Sequence, residues 1–196
     1  MVRSLPRRIG AIAAAAGFTL ALTLMASFSA QAQKVKLATS AGDIVIELDA
    51  AKAPKSVDNF LQYVNAGHYN GTVFHRVIPS FMIQGGGMTA DMKEKATRAP
   101  IPLESKNGLS NGRGTVAMAR TNDPNSATSQ FFINVKDNER LNAANAPDGN
   151  GYAVFAKVTS GMDVVDKIRD VPTASKGPYG DVPTTPITIN KATVEK

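Results

Sequence analysis

A single arginine, Arg76, lies in an otherwise apolar strand pattern and is followed within eight residues by Phe81, Met82 and Gln84. Because side chains alternate between the two faces of a strand, we expect Met82 and Gln84 on one face, with Phe81 and Ile83 on the other unless the strand bends. A guanidinium beside a thioether and a carboxamide is an unusual group to bury, and it offers permanently protonated hydrogen-bond donors. The combination marks this strand face as a candidate functional site. The alternative interpretation is an ordinary strand-face arginine with its stem on apolar neighbours.

Other kinds of catalytic chemistry find little support in the residue types present. The chain has no cysteine, and its two histidines, His68 and His75, belong to different predicted elements without the spacing of a metal-binding helix. No G-x-S-x-G sequence supplies a serine nucleophile, and the glycines at 85–87 and 112–114 lack the flanking residues of phosphate-binding loops. We therefore predict neither a metal nor a cofactor, and we interpret both glycine clusters as turns. His75 is interpreted as a buried structural histidine with a satisfied ring.

The elements that must position Arg76 are mostly short strands. Alternating or continuous apolar residues predict strands at 35–37, 44–48, 72–78, 81–84, 115–119, 130–135, 152–158 and 187–189. Helical spacing of apolar residues predicts one helix from Pro54 to a cap at Gly67 and another over 162–169. Residues 85–112 and 172–186 are interpreted as long loops. Seven or eight strands with two helices predict a mainly β fold, a closed antiparallel barrel capped by helices, because closure removes exposed edges.

The first 32 residues have the layout of a cleaved signal peptide. Arg3, Arg7 and Arg8 precede an apolar run over residues 9–25, and the triplet Ala30-Gln31-Ala32 fits a signal peptidase site. We predict cleavage after Ala32 and export, which means the periplasm if the source is a Gram-negative bacterium. An uncleaved membrane anchor is the alternative, since a run of roughly 17 residues is at the short end for spanning a bilayer.

Removal of the leader leaves residues 33–196, enough for one well-buried domain. The three leader arginines account for half of the formal net charge of +6, so the mature chain carries only +3. That charge does not indicate a nucleic-acid surface, and no second long apolar stretch indicates a membrane segment. A single small domain is expected to be a monomer, and without cysteine it must fold without disulfides.

Two longer motifs resemble the signatures of the cyclophilins. F-H-R-V-I-P-S-F-M-I-Q-G-G occupies residues 74–86, and G-T-V-A-M-A-R followed by S-Q-F-F-I-N lies within residues 114–134. The resemblance extends over roughly residues 35–194. It implies a closed eight-stranded antiparallel barrel with two capping helices. It also implies peptidyl-prolyl cis/trans isomerase activity on unfolded or flexible proline-containing polypeptides, with no cofactor.

The resemblance also implies roles for individual residues. Arg76 takes the role of the catalytic guanidinium, and Gln84, placed with it in the catalytic pair, binds the substrate backbone. The remaining positions are implied to bind substrate: Phe81, Met82, Phe132 and Leu141 as walls of a proline pocket, Ala119, Arg120 and Gln130 along the neighbouring groove, and Tyr152 where many relatives carry a histidine.

Several positions depart from the pattern of the cyclophilins. Arg140 stands where many relatives have tryptophan or phenylalanine, so we expect weak cyclosporin binding with catalysis retained. Arg120 stands where asparagine is common, which puts the sequence preference of the groove in doubt. The polar, glycine-containing segment 142–150 predicts a looser pocket wall, and His68, which matches no catalytic position, is expected at the surface. A proline-peptide binding or chaperone module with incidental catalysis is the alternative function, and a hydrolase is a third, weaker one.

Overall fold

The structure, a computed structural model, describes Met1 and residues 32–195. The predicted signal peptide therefore lies outside the described residues, apart from its two ends. Within the part of the chain that is described, no helix has the length and apolar character needed to cross a bilayer.

The described residues contain ten strands: β1 Lys34–Thr39, β2 Gly42–Leu48, β3 Thr72–Ile78, β4 Met82–Thr89, β5 Thr115–Met118, β6 Phe131–Asn134, β7 Val154–Ser160, β8 Thr173–Lys176, β9 Tyr179–Pro183 and β10 Thr188–Glu195. Eight of them form a closed antiparallel barrel, as predicted, in the order β1-β10-β3-β4-β6-β5-β7-β2, and β8 and β9 form a separate hairpin. The helices are α1 Pro54–Asn65 and α2 Met162–Arg169, and a 3₁₀ turn spans Glu139–Leu141.

The barrel interior is filled by every second residue of the strands. In the first hairpin, Val35 pairs with Ile46 and Leu37 with Ile44, and all four side chains are fully buried. This period of two gives each strand one face toward the core and one face away from it. The alternation matters for function because it leaves an outer face on β4, β5 and β6 that can carry a site.

Helix α1 packs against β7 and β10 and places Phe60 in a cluster of aromatic rings. Its start combines Pro54 in the first turn with the Glu104 carboxylate, which accepts hydrogen bonds from the backbone N–H groups of Lys55 and Ser56. That carboxylate satisfies donors that a helix start leaves open. The helix ends where expected, with Gly67 in the left-handed region at φ +66°.

The prediction of a turn at the glycines 85–87 is wrong. These glycines are part of strand β4, which continues to Thr89. Neighbouring side chains lie directly on this backbone. A Cβ at Gly86, where φ is +87°, would lie 2.9 Å from the rings of Phe131 and Tyr69, and one at Gly87 would lie 2.5 Å from Gln130. Glycine is required here because rings pack against the strand, and this long-range reason is not visible in the local sequence.

Two further predictions were wrong. The proline-rich segment 172–186 contains the hairpin β8–β9, whose strands lack the apolar alternation that predicts a strand. The hairpin is held instead by docking on the barrel, where Val182 is buried and the Lys176 ammonium donates to the carbonyl of Ala90. His68 is buried rather than at the surface, with its Nε2 3.1 Å from the carbonyl oxygen of Gly86.

Candidate active site

A pocket of about 530 Å³ opens on the outer face of the barrel beside β3, β4, β5 and β6. The ten residues singled out in the sequence all line it: Arg76, Phe81, Met82, Gln84, Ala119, Arg120, Gln130, Phe132, Leu141 and Tyr152. Their neighbours in the strands, such as Ile83 and Phe131, belong to the barrel core. The pocket therefore uses the strand faces that point away from the core.

The floor of the pocket is apolar and closely packed. Met82, Phe132 and Leu141 belong to one hydrophobic cluster, and Phe132 meets the ring of Tyr152 edge-on at 5.6 Å between centroids. Phe81 joins this cluster because it lies in the turn before β4, where strand alternation does not apply. The bend left open in the prediction is therefore present, and it adds a phenyl ring to the same wall as Met82.

Three buried asparagines hold the loop that carries Leu141. The Asn138 amide donates to the Phe81 carbonyl at 2.8 Å and to the Asn134 side chain at 2.7 Å, and the Asn111 amide donates to the Leu141 carbonyl at 3.2 Å. Buried amides of this kind are costly unless satisfied, so a complete network specifies one arrangement. The sequence analysis missed these residues because scattered asparagines resemble ordinary loop residues.

The polar side of the pocket carries Arg76, Gln84 and Gln130. Arg76 and Gln84 are direct partners in the β3–β4 ladder, and the Gln84 amide donates to the Gln130 side-chain oxygen at 2.9 Å. The Arg76 Nε lies 3.8 Å from a carboxylate oxygen of Asp181. Among the residues that the structure describes, neither Nη nitrogen of Arg76 has a hydrogen-bond partner, so donors remain available beside an apolar floor.

The Arg120 guanidinium is held by several neighbouring residues, so it is not free to contact a ligand in the groove. Its side chain is 3% exposed, and its guanidinium donates to the carbonyls of Gly151 at 2.9 Å and Thr121 at 2.8 Å and pairs with Asp148. It also lies over the ring of Tyr152, 4.7 Å from the centroid. Segment 142–150 is therefore anchored at Asp148, contrary to the looser wall that its composition predicts.

The same contacts set the titration of Asp148. Backbone N–H donation from Asn150, followed by the hydrogen bond from Arg120, lowers the Asp148 pKa to about 2. Its carboxylate therefore stays charged well below neutral pH, so the tie to Arg120 persists over the physiological range.

His75 also lines the pocket, although the sequence analysis assigned it no role there. It is buried as predicted and lies near the backbone of Val73, which acts on its pKa, although its Nδ1 makes no hydrogen bond of regular geometry to a described residue. Burial lowers the His75 pKa to about 4, which keeps the imidazole neutral near pH 7. Across residues 32–195, no three His, Asp or Glu side chains converge to hold a metal ion.

The remaining pocket residues that sequence reasoning missed are Met88 and the hairpin residues Pro178, Tyr179, Gly180 and Asp181. Met88 lies beyond the glycines that were interpreted as a turn. The hairpin residues reach the pocket only because β9 docks beside β3. No local pattern in the sequence signals that contact.

Comparisons with known proteins relate the chain to one family. Residues 34–194 match the family model described as cyclophilin type peptidyl-prolyl cis-trans isomerase/CLD. A peptidyl-prolyl cis-trans isomerase of Streptomyces antibioticus is 61% identical over 161 residues, 82% of this chain and 97% of that protein. Peptidyl-prolyl cis-trans isomerase A of Dickeya dadantii is 57% identical, covering 83% and 84% of the two chains.

A solved structure shows the same architecture. The cyclophilin type isomerase of Cryptosporidium parvum, crystallised in the presence of the dipeptide Ala-Pro, superposes with a TM-score of 0.69 at 28% identity. The match covers 84% of this chain and 99% of that one. With a matching family model, close bacterial relatives and a shared barrel, this chain belongs to the cyclophilin-type peptidyl-prolyl cis-trans isomerases.

Proposed function

We propose that Arg76 accelerates rotation of X-Pro bonds by donating a hydrogen bond to the prolyl nitrogen while that bond is twisted. The observation that carries this proposal is the guanidinium with unpartnered Nη groups beside the floor formed by Met82, Phe132 and Leu141. An apolar pocket alone would bind a proline ring. A cation set next to it adds a donor for the reacting amide.

The chemistry needs no covalent step. Uncatalysed rotation faces a barrier of about 18–20 kcal/mol because amide resonance must be broken. As the bond twists, the prolyl nitrogen becomes pyramidal and gains a lone pair that accepts a hydrogen bond. Because this bond exists only in the twisted state, a donor at Arg76 lowers the barrier instead of only tightening substrate binding.

The pocket supplies the surroundings that make one donor effective. Phe81, Met82, Phe132 and Leu141 hold the ring and exclude water, which strengthens the electrostatic effect of the guanidinium. Gln84 is held by Gln130 through one amide hydrogen, which leaves its other hydrogen and its oxygen for the substrate backbone. A ten-thousandfold acceleration requires about 5.5 kcal/mol, which one charge-assisted hydrogen bond with desolvation and orientation can supply.

The substrates in this proposal are flexible or unfolded proline-containing polypeptides of exported proteins. The Ala-Pro dipeptide used with the Cryptosporidium parvum enzyme supports a proline ligand. Export is supported by the domain boundary, since the family match and strand β1 both start at residue 34, two residues after the predicted cleavage at Ala32. Cleavage there leaves the barrel whole, and the mature enzyme acts as a monomer.

The test replaces Arg76 by alanine and measures catalysed cis-to-trans isomerisation of a short X-Pro peptide. We expect Arg76→Ala to lower kcat/KM at least about a hundredfold, which corresponds to roughly 2.7 kcal/mol, with the fold retained. Arg98→Ala, which removes an exposed arginine outside the pocket, is the matched control and should leave the rate unchanged. A mutant as fast as the wild type would overturn the mechanism.

The alternative, a binding or chaperone module, predicts a different result. Binding a proline ring requires the apolar floor but not Arg76. Suppression of aggregation of a client without proline, undiminished in Arg76→Ala, would favour that alternative.

A further inference from the structure

The hairpin β8–β9 places an acidic residue, Asp181, at the edge of the pocket next to Arg76. The Asp181 Oδ2 lies 3.8 Å from the Arg76 Nε, and both side chains are about half exposed. Asp181 is the one acidic partner of the Arg76 guanidinium within the described part of the chain. The following argument rests on the proposed role of Arg76.

The local backbone at Asp181 is specialised. In the β8–β9 ladder Ala174 pairs with Val182 and Lys176 with Tyr179, so two residues of β9, Gly180 and Asp181, face Ser175 alone. This arrangement is a β-bulge, a feature that redirects a side chain out of the regular alternation. The bulge includes Asp181, the residue of β9 whose carboxylate lies beside Arg76 of β3.

Asp181 also has a backbone conformation that non-glycine residues seldom adopt, with φ +59°. Aspartate and asparagine tolerate this left-handed region better than other side chains, and glycine tolerates it freely. Strained conformations of this kind concentrate at functional sites. A glycine would suit this backbone conformation better, and the aspartate in its place brings a carboxylate to Arg76.

Arg76 needs such a partner. An arginine side chain has many rotamers, and Arg76 donates no hydrogen bond to a described residue that would fix its rotamer. An ionic contact at Nε, the guanidinium nitrogen nearest the backbone, restricts the orientation of the guanidinium. It leaves the two Nη groups free for a substrate. We propose that Asp181 is a positioning residue, which orients the Arg76 guanidinium so that its Nη donors meet the prolyl nitrogen.

The size of the effect follows from exposure. Ion pairs between exposed side chains contribute little and are screened by salt, so loss of the carboxylate should lower kcat/KM by about two- to fivefold. The assay uses wild-type protein and a neutral, blocked X-Pro peptide, which removes long-range attraction of a charged substrate from the comparison.

Two variants remove the carboxylate while keeping a residue suited to positive φ. Asp181→Asn preserves the shape of the side chain, and Asp181→Gly removes it altogether. We expect both to lower kcat by the same factor with an unchanged KM, while Tm stays unchanged in Asp181→Asn and is equal or higher in Asp181→Gly, because glycine relieves the strain of the positive φ. Asp163→Asn, which breaks an exposed ion pair with Lys167 on α2 away from the pocket, should behave as wild type.

Salt and a double-mutant cycle give readouts that a merely structural role would not move. Raising the salt to about 1 M, where the Debye length is about 3 Å, should bring the wild-type rate down toward that of Asp181→Asn, whose own rate stays flat. In an Arg76→Ala background, Asp181→Asn should have no further effect.

The outcomes separate the two proposals. Suppose that wild type is active and Arg76→Ala is slow. The positioning role of Asp181 is then wrong if Asp181→Asn and Asp181→Gly have the kcat of wild type. It is also wrong if they lower kcat by the same factor in the Arg76→Ala background as in wild type. If Arg76→Ala is itself as fast as wild type, the mechanism proposed for Arg76 fails first.

Discussion

The guanidinium of Arg120 lies over the ring of Tyr152, 4.7 Å from its centroid, and the same side chain ties Gly151 and Asp148 to the barrel. Tyr152 in turn meets Phe132 on the pocket floor. Arg120, which the sequence places along the groove, therefore connects the loop at Asp148 and Gly151 to the pocket wall at Tyr152.

Arg120→Asn should loosen this wall. The Gly151 carbonyl loses its donor and Tyr152 loses its stacking partner, so we expect a stability loss of about 1–3 kcal/mol. Because the wall binds ground state and transition state alike, KM should rise severalfold with kcat little changed. Thermal unfolding and steady-state kinetics on an X-Pro peptide measure the two effects.

Arg120→Lys is the control, since it keeps the charge but loses the planar fork that reaches several acceptors. It should fall between wild type and Arg120→Asn. An Arg120→Asn protein with wild-type KM and Tm would show that the tie has no effect on the pocket.

We expect the residue at position 140 to determine the affinity for cyclosporin. The Arg140 guanidinium lies 4.9 Å from the centroid of the Phe81 ring. Arg140→Trp adds apolar area beside Phe81, so we expect cyclosporin affinity to increase about tenfold or more, with kcat/KM changed by less than about twofold. Inhibition titrations measure this. Arg140→Ala, which removes the guanidinium without adding a ring, should stay weakly inhibited, and tight binding by wild type would contradict the prediction.

His75 should make stability depend on pH. Its pKa is about 4 in the folded protein and about 6.5 when unfolded, so between these values the unfolded state binds the extra proton. The free energy of unfolding should therefore fall as the pH decreases from about 6.5 to about 4, by at most about 3 kcal/mol, and should not change on this account above pH 6.5. Urea denaturation across this range measures the slope.

The matched variant is His75→Gln, which does not titrate. Its stability profile should be flatter than that of wild type between pH 6.5 and 4. Parallel profiles would mean that the neutral form of His75 is not favoured by burial.

Gly86 should not tolerate a side chain. Gly86→Ala combines a positive φ with a Cβ 2.9 Å from two aromatic rings, so we expect a loss of about 2–4 kcal/mol in the free energy of unfolding. Gly108 has a similar φ of +82°, and a Cβ added there would have no atom within 4 Å. Gly108→Ala therefore measures the free-energy cost of the positive φ alone. Equal losses in the two variants would show that the rings move aside freely.

The predicted signal peptide implies a defined terminus for the mature protein. Mass spectrometry of the exported protein should give a chain that begins at Gln33, because the small residues Ala30 and Ala32 frame the cleavage site. Ala32→Phe should block processing, whereas Gln31→Phe adds the same bulk at the tolerant middle position and should be processed. Cleavage of Ala32→Phe at the same bond would contradict the assignment.

Local patterns determined a large part of this protein without a structure. The period of apolar residues is set within a few positions, so the first hairpin, α1 and the bounds of α2 at Met162–Arg169 followed from it. Strand closure followed from the number of strands and the need to remove edges. The motifs at 74–86 and 114–134 contain eight of the ten predicted site residues, but only nine of the sixteen residues that line the pocket.

Only the tertiary structure decided how those residues are held. Gly85, Gly86 and Gly87 form a strand because distant rings and Gln130 pack on their backbone, and the hairpin β8–β9 forms because it docks on β3. Arg120 and Asp181 acquire their contacts from segments 28 and 105 residues away in the chain, at Asp148 and Arg76. Residue types and local spacing do not predict such long-range contacts, because the contacts form only when the chain folds and brings distant segments together.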